Sequence, residues 1–217
     1  RTVGISPHRV LAICRRYGTM IIEDDTNGML DEKSVPLAAL APESCIYLTA
    51  CAETLAGSFR LGYIHAPGPV LDRAAGIATA TIGTTAPLAA ELATRMIHSG
   101  DALRAAIWKR GIAEERRRMA LGLFPAERAF SHPGAPQIWL RLDRPWSGDS
   151  YAAAARQRGI GVAPASVFAV DAQAPFPDGV RIGLTAPEAN ADVPLALSTL
   201  AGLLAEGRAE GYGLKAA

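Results

Sequence analysis

Apolar positions along this chain recur at two spacings, and the change from one to the other divides it into elements. Ser6-Pro7 is a helix start, with serine at the cap and proline at the first helical position. Val10, Leu11, Cys14 and Tyr17 follow at helical spacing, and Gly18 stops the run. Met20-Ile21-Ile22 is a short apolar run that suits a buried strand, ending in the acids Glu23-Asp24-Asp25. A proline-containing connection fills 29–44. A strand is expected over 45–49, then a loop of small residues, then a strand over 61–66. Pro67-Gly68-Pro69 opens a helix to about residue 81, and a second helix covers 86–98. Ser99-Gly100-Asp101 reads as a stop and a new cap, opening a long helix over 102–121. Beyond Pro125 the pattern predicts a strand at 138–142, a helix at 150–157 and a short extended piece at 160–162. A strand at 180–184 and a helix over 191–206 follow, with a loose tail from Arg208.

Helix, glycine, buried strand and then acids at the strand's carboxyl end make an α/β unit, and ligands in such sheets bind beyond the carboxyl ends of the strands. The later order of strand, helix, strands and helix makes a small α+β layer. The expected division is therefore an α/β part over 1–100 and a small α+β domain over 101–217.

Composition narrows the function. The 217 residues are 49% hydrophobic with a net charge of +1, which argues against nucleic-acid contact from this segment. The basic run within Glu114-Glu115-Arg116-Arg117-Arg118 is interrupted by glutamates and reads as a solvated face with internal pairs. No run of eighteen apolar residues suggests a membrane span. The chain opens Arg1-Thr2-Val3-Gly4 without a signal-peptide pattern. Cys14, Cys45 and Cys51 lack paired spacing and fit a reducing, cytoplasmic compartment. The four histidines are scattered without metal-ligand spacing, so no metal is expected.

Three stretches stand in a telling order: Glu23-Asp24-Asp25, the loop that ends in Phe59-Arg60-Leu61-Gly62-Tyr63, and Val180-Arg181-Ile182-Gly183-Leu184. Together they resemble the class I/II aminotransferases, enzymes of fold type I that use pyridoxal 5'-phosphate. The likeness is greatest to the aminotransferase-like domain of GntR-type regulators of the MocR group and to aminoadipate-type aminotransferases. It implies an α/β chain: the C-terminal part of a fold type I large domain, mostly parallel sheet with helices, followed by the small α+β domain.

By resemblance, Asp24 takes the carboxylate that bonds the pyridine nitrogen and holds it protonated, so that the ring accepts electrons. Arg60 takes the phosphate, which suits a guanidinium fork. Arg181 takes the substrate α-carboxylate, the partner being an amino acid or an analogue. Each has a plainer reading: a solvated acid, an arginine paired with a nearby acid, an exposed strand arginine. The resemblance also implies a homodimer.

The departures matter as much. The loop of that family reads Ser-x-Ser-Lys, then six residues, then Arg. Here Glu53 stands seven before Arg60, at the Schiff-base lysine position, and Ala50 and Ala52 stand at the serines. Thr26 and Asn27 stand where a tyrosine is expected. The three lysines, Lys33, Lys109 and Lys215, match no such position. Glutamate has no amine to form an imine. A carboxylate at roughly 6 Å repels each phosphate charge by about 3 kcal/mol at an effective dielectric near 20. No catalytic residue is then intact, binding of the cofactor is expected to be weak or lost, and Glu53 is free to pair with Arg60 instead.

The resemblance further implies a chain truncated at its N-terminus, since the large domain of that family begins upstream of a helix like that at Ser6. Met20-Ile21-Ile22 would then keep one uncovered edge or face. Two functions remain open: a catalytically degenerate, effector-sensing module of a transcriptional regulator, or an aminotransferase acting on an amino acid and 2-oxo acid pair.

Overall fold

The computed structural model describes residues 6–30, 35–52, 55–171, 176–185 and 192–213, with side chains to 207. The chain divides into two compact units, Arg1–Trp108 and Lys109–Ala217.

In the first unit, α1 (Pro7–Tyr17) starts at Pro7 and stops at Gly18, whose φ of 61° is left-handed. The N–H of Gly18 and that of Thr19 close onto the Arg15 and Cys14 carbonyls. β1 (Ile21–Asp24) runs parallel to β2 (Cys45–Ala50), and β3 (Gly62–His65) runs antiparallel to β2, in the order β1-β2-β3. β1 therefore reaches two residues further than its apolar run implied: Glu23 and Asp24 belong to the strand rather than following it. The connection after β1 also holds a one-turn α2 (Leu37–Leu40) that sequence periodicity did not reveal.

Alternation along the strands sorts the residues onto two faces. Ile21, Glu23, Cys45 and Tyr47 share one face, where Leu11, Ala38 and Ala41 pack against Ile21 and Cys45. Ile22, Asp24, Ile46, Leu48 and Ile64 share the other. There Ile22 is 69% exposed and Ile64 40%.

Three helices follow: α3 (Gly68–Ile82), α4 (Pro87–His98) and α5 (Asp101–Leu123). The division between the two units falls inside α5. No residue of α3 is buried.

The second unit carries an antiparallel sheet of β4 (Ala129–Phe130), β5 (Gln137–Arg141), β6 (Ala163–Pro164) and β7 (Gly179–Gly183), in the order β4-β5-β7-β6. The helices are α6 (Gly148–Gln157) and α7 (Asp192–Gly213). α6 begins two residues earlier than its alanine run suggests, at a capping box of Ser147 and Ser150. The extended piece expected at 160–162 pairs instead at 163–164, and α7 continues to Gly213 where a tail was expected from Arg208. Ile138 and Leu140 of β5 face Ile182 and Val180 of β7 across the ladder, and with Tyr151, Leu197 and Leu200 they form one buried cluster.

The basic run in α5 needs one correction. Arg117 pairs with Glu114 through two hydrogen bonds of 2.7 and 2.8 Å, the internal pair expected, although it is itself half-buried. Arg116 is instead buried, and its Nη1 donates to the Leu184 carbonyl at 2.5 Å. Its charge therefore belongs to the interior of the second unit, with a backbone oxygen as partner.

Tyr151 is fully buried and its hydroxyl donates to the Leu200 carbonyl at 2.6 Å. Burial pushes its phenol far above the ordinary tyrosine range. A group whose folded pKa is raised contributes stability below its unfolded pKa and loses it as pH rises. The second unit is therefore expected to lose stability progressively above about pH 10, by at most ~1.4 kcal/mol per pH unit from this residue. Tyr151→Phe removes that alkaline slope and costs about 1 kcal/mol at neutral pH for the lost hydrogen bond. Denaturant titrations between about pH 7 and 11 check both.

Candidate functional site

The carboxyl ends of β1 and β2 and the start of β3 lie together at one end of the first sheet, as the pairings Asp24↔Leu48 and Ala50↔Gly62 require. All three acids of the Glu23-Asp24-Asp25 run sit there, and the fold gives each a different task. Both carboxylate oxygens of Glu23 accept backbone N–H groups, from Leu37 at 2.9 Å and Ala38 at 3.0 Å. A carboxylate is stabilised by the open N–H groups of a helical turn, so Glu23 ties α2 to the sheet. Asp25 is buried; its Oδ2 accepts the Tyr47 hydroxyl at 3.0 Å, and the Thr49 hydroxyl donates to its carbonyl at 3.3 Å. Burial, then the bond to the Asp25 carboxylate, pushes the Tyr47 phenol upward. The Asp25 carboxylate lies so close to Gly28 that a Cβ there would fall 2.0 Å from its Oδ2, so only glycine fits.

Asp24 points the other way, onto the uncovered face. It is exposed, and its Oδ1 accepts the Thr26 N–H at 3.2 Å in a turn that follows the strand. Of the three acids, Asp24 alone keeps its carboxylate on the open side of the sheet.

The loop from β2 to β3 is anchored from both ends. The Cys51 N–H bonds the Leu61 carbonyl at 3.0 Å and the Leu55 N–H bonds the Cys51 carbonyl at 2.8 Å. Cys51 and Leu61 are buried against Ala93 of α4, with Leu55, Phe59, Ala89 and Ala90 packed around them. The Cys51 thiol faces the Tyr63 hydroxyl at 3.8 Å. Arg60 stands between two anchored neighbours, Phe59 and Leu61, and is itself exposed, directly after a 3-10 turn over Gly57–Phe59. Its φ of 49° is the one left-handed value at a non-glycine among the described residues.

That backbone shape costs a residue with a side chain about 1–2 kcal/mol, and costs glycine nothing comparable. Arg60→Gly is accordingly expected to be about 1 kcal/mol more stable than Arg60→Ala, the reverse of the usual order. Denaturant titration of the two variants reads the difference.

Glu53, for which the resemblance implies the Schiff-base lysine position, lies outside the described residues. Arg181 is on β7, in the second unit; its side chain is exposed, and Cζ stands 5.1 Å from the centre of the Phe168 ring. The structure thus brings Asp24 and Arg60 to one end of the first sheet and holds Arg181 on the sheet of the other unit.

Sequence reasoning missed the separate roles of Glu23 and Asp25, and Tyr47 altogether. The signal was parity: once β1 includes the acids, Glu23 and Asp25 fall on the face of Ile21 and Asp24 on the face of Ile22.

No protein-family model and no curated protein matches the chain. Solved structures do. LysN, an α-aminoadipate aminotransferase from Thermus thermophilus complexed with N-(5'-phosphopyridoxyl)-L-leucine, is similar with a TM-score of 0.82 at 19% identity, over 94% of this chain and 54% of that one. An archaeal alanine:glyoxylate aminotransferase gives 0.81 at 22% identity, over 92% and 51%. The kynurenine aminotransferase of Pyrococcus horikoshii gives 0.79 at 20% identity, again over 92% and 51%. The chain has the α/β fold of the pyridoxal-phosphate-dependent aminotransferases of fold type I and corresponds to the C-terminal part of that fold. It spans about half the length of these neighbours. Among the described residues, no helix is long and apolar enough to cross a membrane.

Proposed function

We propose that this chain is an aminotransferase-like domain that has lost the lysine chemistry of its fold and works as a cytoplasmic ligand-sensing module, the effector part of a transcriptional regulator of the MocR type. The ligand is a small carboxylate, an amino acid or an analogue, received by Arg181. On this reading the chain is one part of a longer protein, truncated at the N-terminus, that works as a homodimer, and its two domains are those expected at 1–100 and 101–217. What supports it is the loop between β2 and β3: Arg60 lies next to the carboxyl end of the sheet where Asp24 lies, and the residue seven before it, where the resemblance implies a lysine, is Glu53.

The donor set around that loop supports the same view. Asp24 suits a protonated pyridine nitrogen and Arg60 a phosphate. Ala50 and Ala52 offer no hydroxyl, and the Thr49 hydroxyl is already engaged by the Asp25 carbonyl. Lys109, the one lysine among the described residues, belongs to α5 in the second unit. These residues do not fit a covalently held pyridoxal phosphate.

A second reading, an aminotransferase acting on an amino acid and 2-oxo acid pair, is supported by the activities of the structural neighbours. The two separate on a titration with pyridoxal phosphate followed by borohydride. The sensing reading expects no visible band and no reduced adduct, and one equivalent of trapped cofactor overturns it.

A further inference from the structure

Arg181 does not stand alone on its face of the second sheet. Phe168, which lies under its guanidinium, ends a 3-10 turn over Ala165–Phe168 and packs edge-on against Trp139, with ring centres 6.1 Å apart and planes at 62°. Trp139 is the cross-strand partner of Arg181 on β5. Its indole is in turn seated on Gly179, where a Cβ would lie 2.8 Å from Trp139 Nε1 and 2.9 Å from the Leu140 carbonyl. Gly179, Trp139, Phe168 and Arg181 therefore form one stack, each member placed by the one beneath it. Among the described residues Arg181 makes no ion pair and no hydrogen bond through its side chain. A guanidinium held by the face of a ring keeps its N–H donors in plane for a carboxylate.

We propose that Phe168, backed by Trp139, is the positioning residue of Arg181 and completes an aromatic-backed carboxylate cradle on the outer face of this sheet. The proposal rests on the reading of Arg181 as the carboxylate-binding residue. An arginine stacked in advance loses less side-chain freedom when the anion arrives, so less of the binding energy goes into ordering it. Removing the ring should therefore weaken carboxylate binding by roughly two- to tenfold.

The test uses the full chain labelled with nitrogen-15, reading the arginine Nε–H signals while propionate is added, with propionamide as the uncharged control. Arg181→Lys assigns the Arg181 signal by its loss. In the wild type that signal carries the ring-current shift of Phe168 and moves with propionate but not with propionamide. Phe168→Leu is expected to lose the ring-current shift and to raise the propionate dissociation constant by roughly two- to tenfold, and Phe168→Tyr to restore both. Wild-type affinity in Phe168→Leu, or equal weakening in the Leu and Tyr variants, overturns the positioning role and leaves Arg181 as the carboxylate residue. An Arg181 signal in the wild type that does not move with propionate, or moves equally with propionamide, overturns the carboxylate reading itself and the cradle with it.

Discussion

Glu53→Lys, mixed with pyridoxal phosphate, is expected to gain a visible absorbance band and to retain the cofactor after borohydride, while the unaltered chain does neither. The expectation follows from charge and chemistry at one position. Lysine supplies the amine that glutamate lacks. On the proposed reading, which puts position 53 roughly 6 Å from the phosphate, it also turns a repulsion into an attraction: at an effective dielectric near 20, each phosphate charge gains about 3 kcal/mol from loss of the carboxylate and a similar amount from the ammonium. Even with most of this screened, affinity should rise by about a hundredfold or more. Glu53→Gln separates the two contributions, since it removes the charge without an amine. It should bind the cofactor more tightly than wild type and trap none of it. A Glu53→Lys protein that stays colourless would mean that Asp24 and Arg60 no longer frame a cofactor site.

The largest loss of stability is expected from Ile138→Ala. Ile138 is fully buried on β5, opposite Ile182, inside the cluster that includes Tyr151, Leu197 and Leu200. Truncating an isoleucine so enclosed costs the transfer energy of the removed carbons and leaves a cavity, together about 2–5 kcal/mol. Against a typical domain stability of about 5–15 kcal/mol, that is a large share of the total. Denaturant midpoints report it, with the slope unchanged if the unit still unfolds in one step. The matched control is Ile22→Ala, on the uncovered face of the first sheet. The same change is expected to shift stability there by no more than ~0.5 kcal/mol, because little apolar surface is withdrawn from water.

Much of this fold could be read from spacing. The helices α1, α3, α4, α5 and α6 announce themselves by caps, glycines and prolines, and β2, β5 and β7 by compact apolar runs. What escaped was short or held by distant partners. β4 and β6 are two residues each, too short for any period, and exist because β5 and β7 offer them a ladder. The one-turn α2 is held by Glu23, whose carboxylate reaches Leu37 from fourteen residues upstream. Arg116 looked solvated because its neighbours are charged, whereas its partner is a backbone carbonyl 68 positions away, which no local pattern contains.

The position of Asp24 and Arg60 near the carboxyl end of the first sheet was legible in the sequence, because the strand ends follow from spacing. Their surroundings were not: the left-handed backbone at Arg60 and the Tyr47–Asp25 bond depend on strand register. A boundary error of two residues at β1 hid which acids shared a face.

The absence of any buried residue in α3 lowers the free energy at which that part of the first unit opens. A helix of fifteen residues without a packed face is marginal in water, and Gly76 and two back-bonding threonines, Thr79 and Thr81, weaken this one further. Its opening free energy is therefore near the bottom of the range within one protein, while β5 and β7 open only when the second unit unfolds as a whole. α3 is therefore expected to exchange its amide hydrogens well before the strands β1 and β2 do. Anything that comes to rest on it must order the helix in the act of binding, and covers its apolar side chains in doing so.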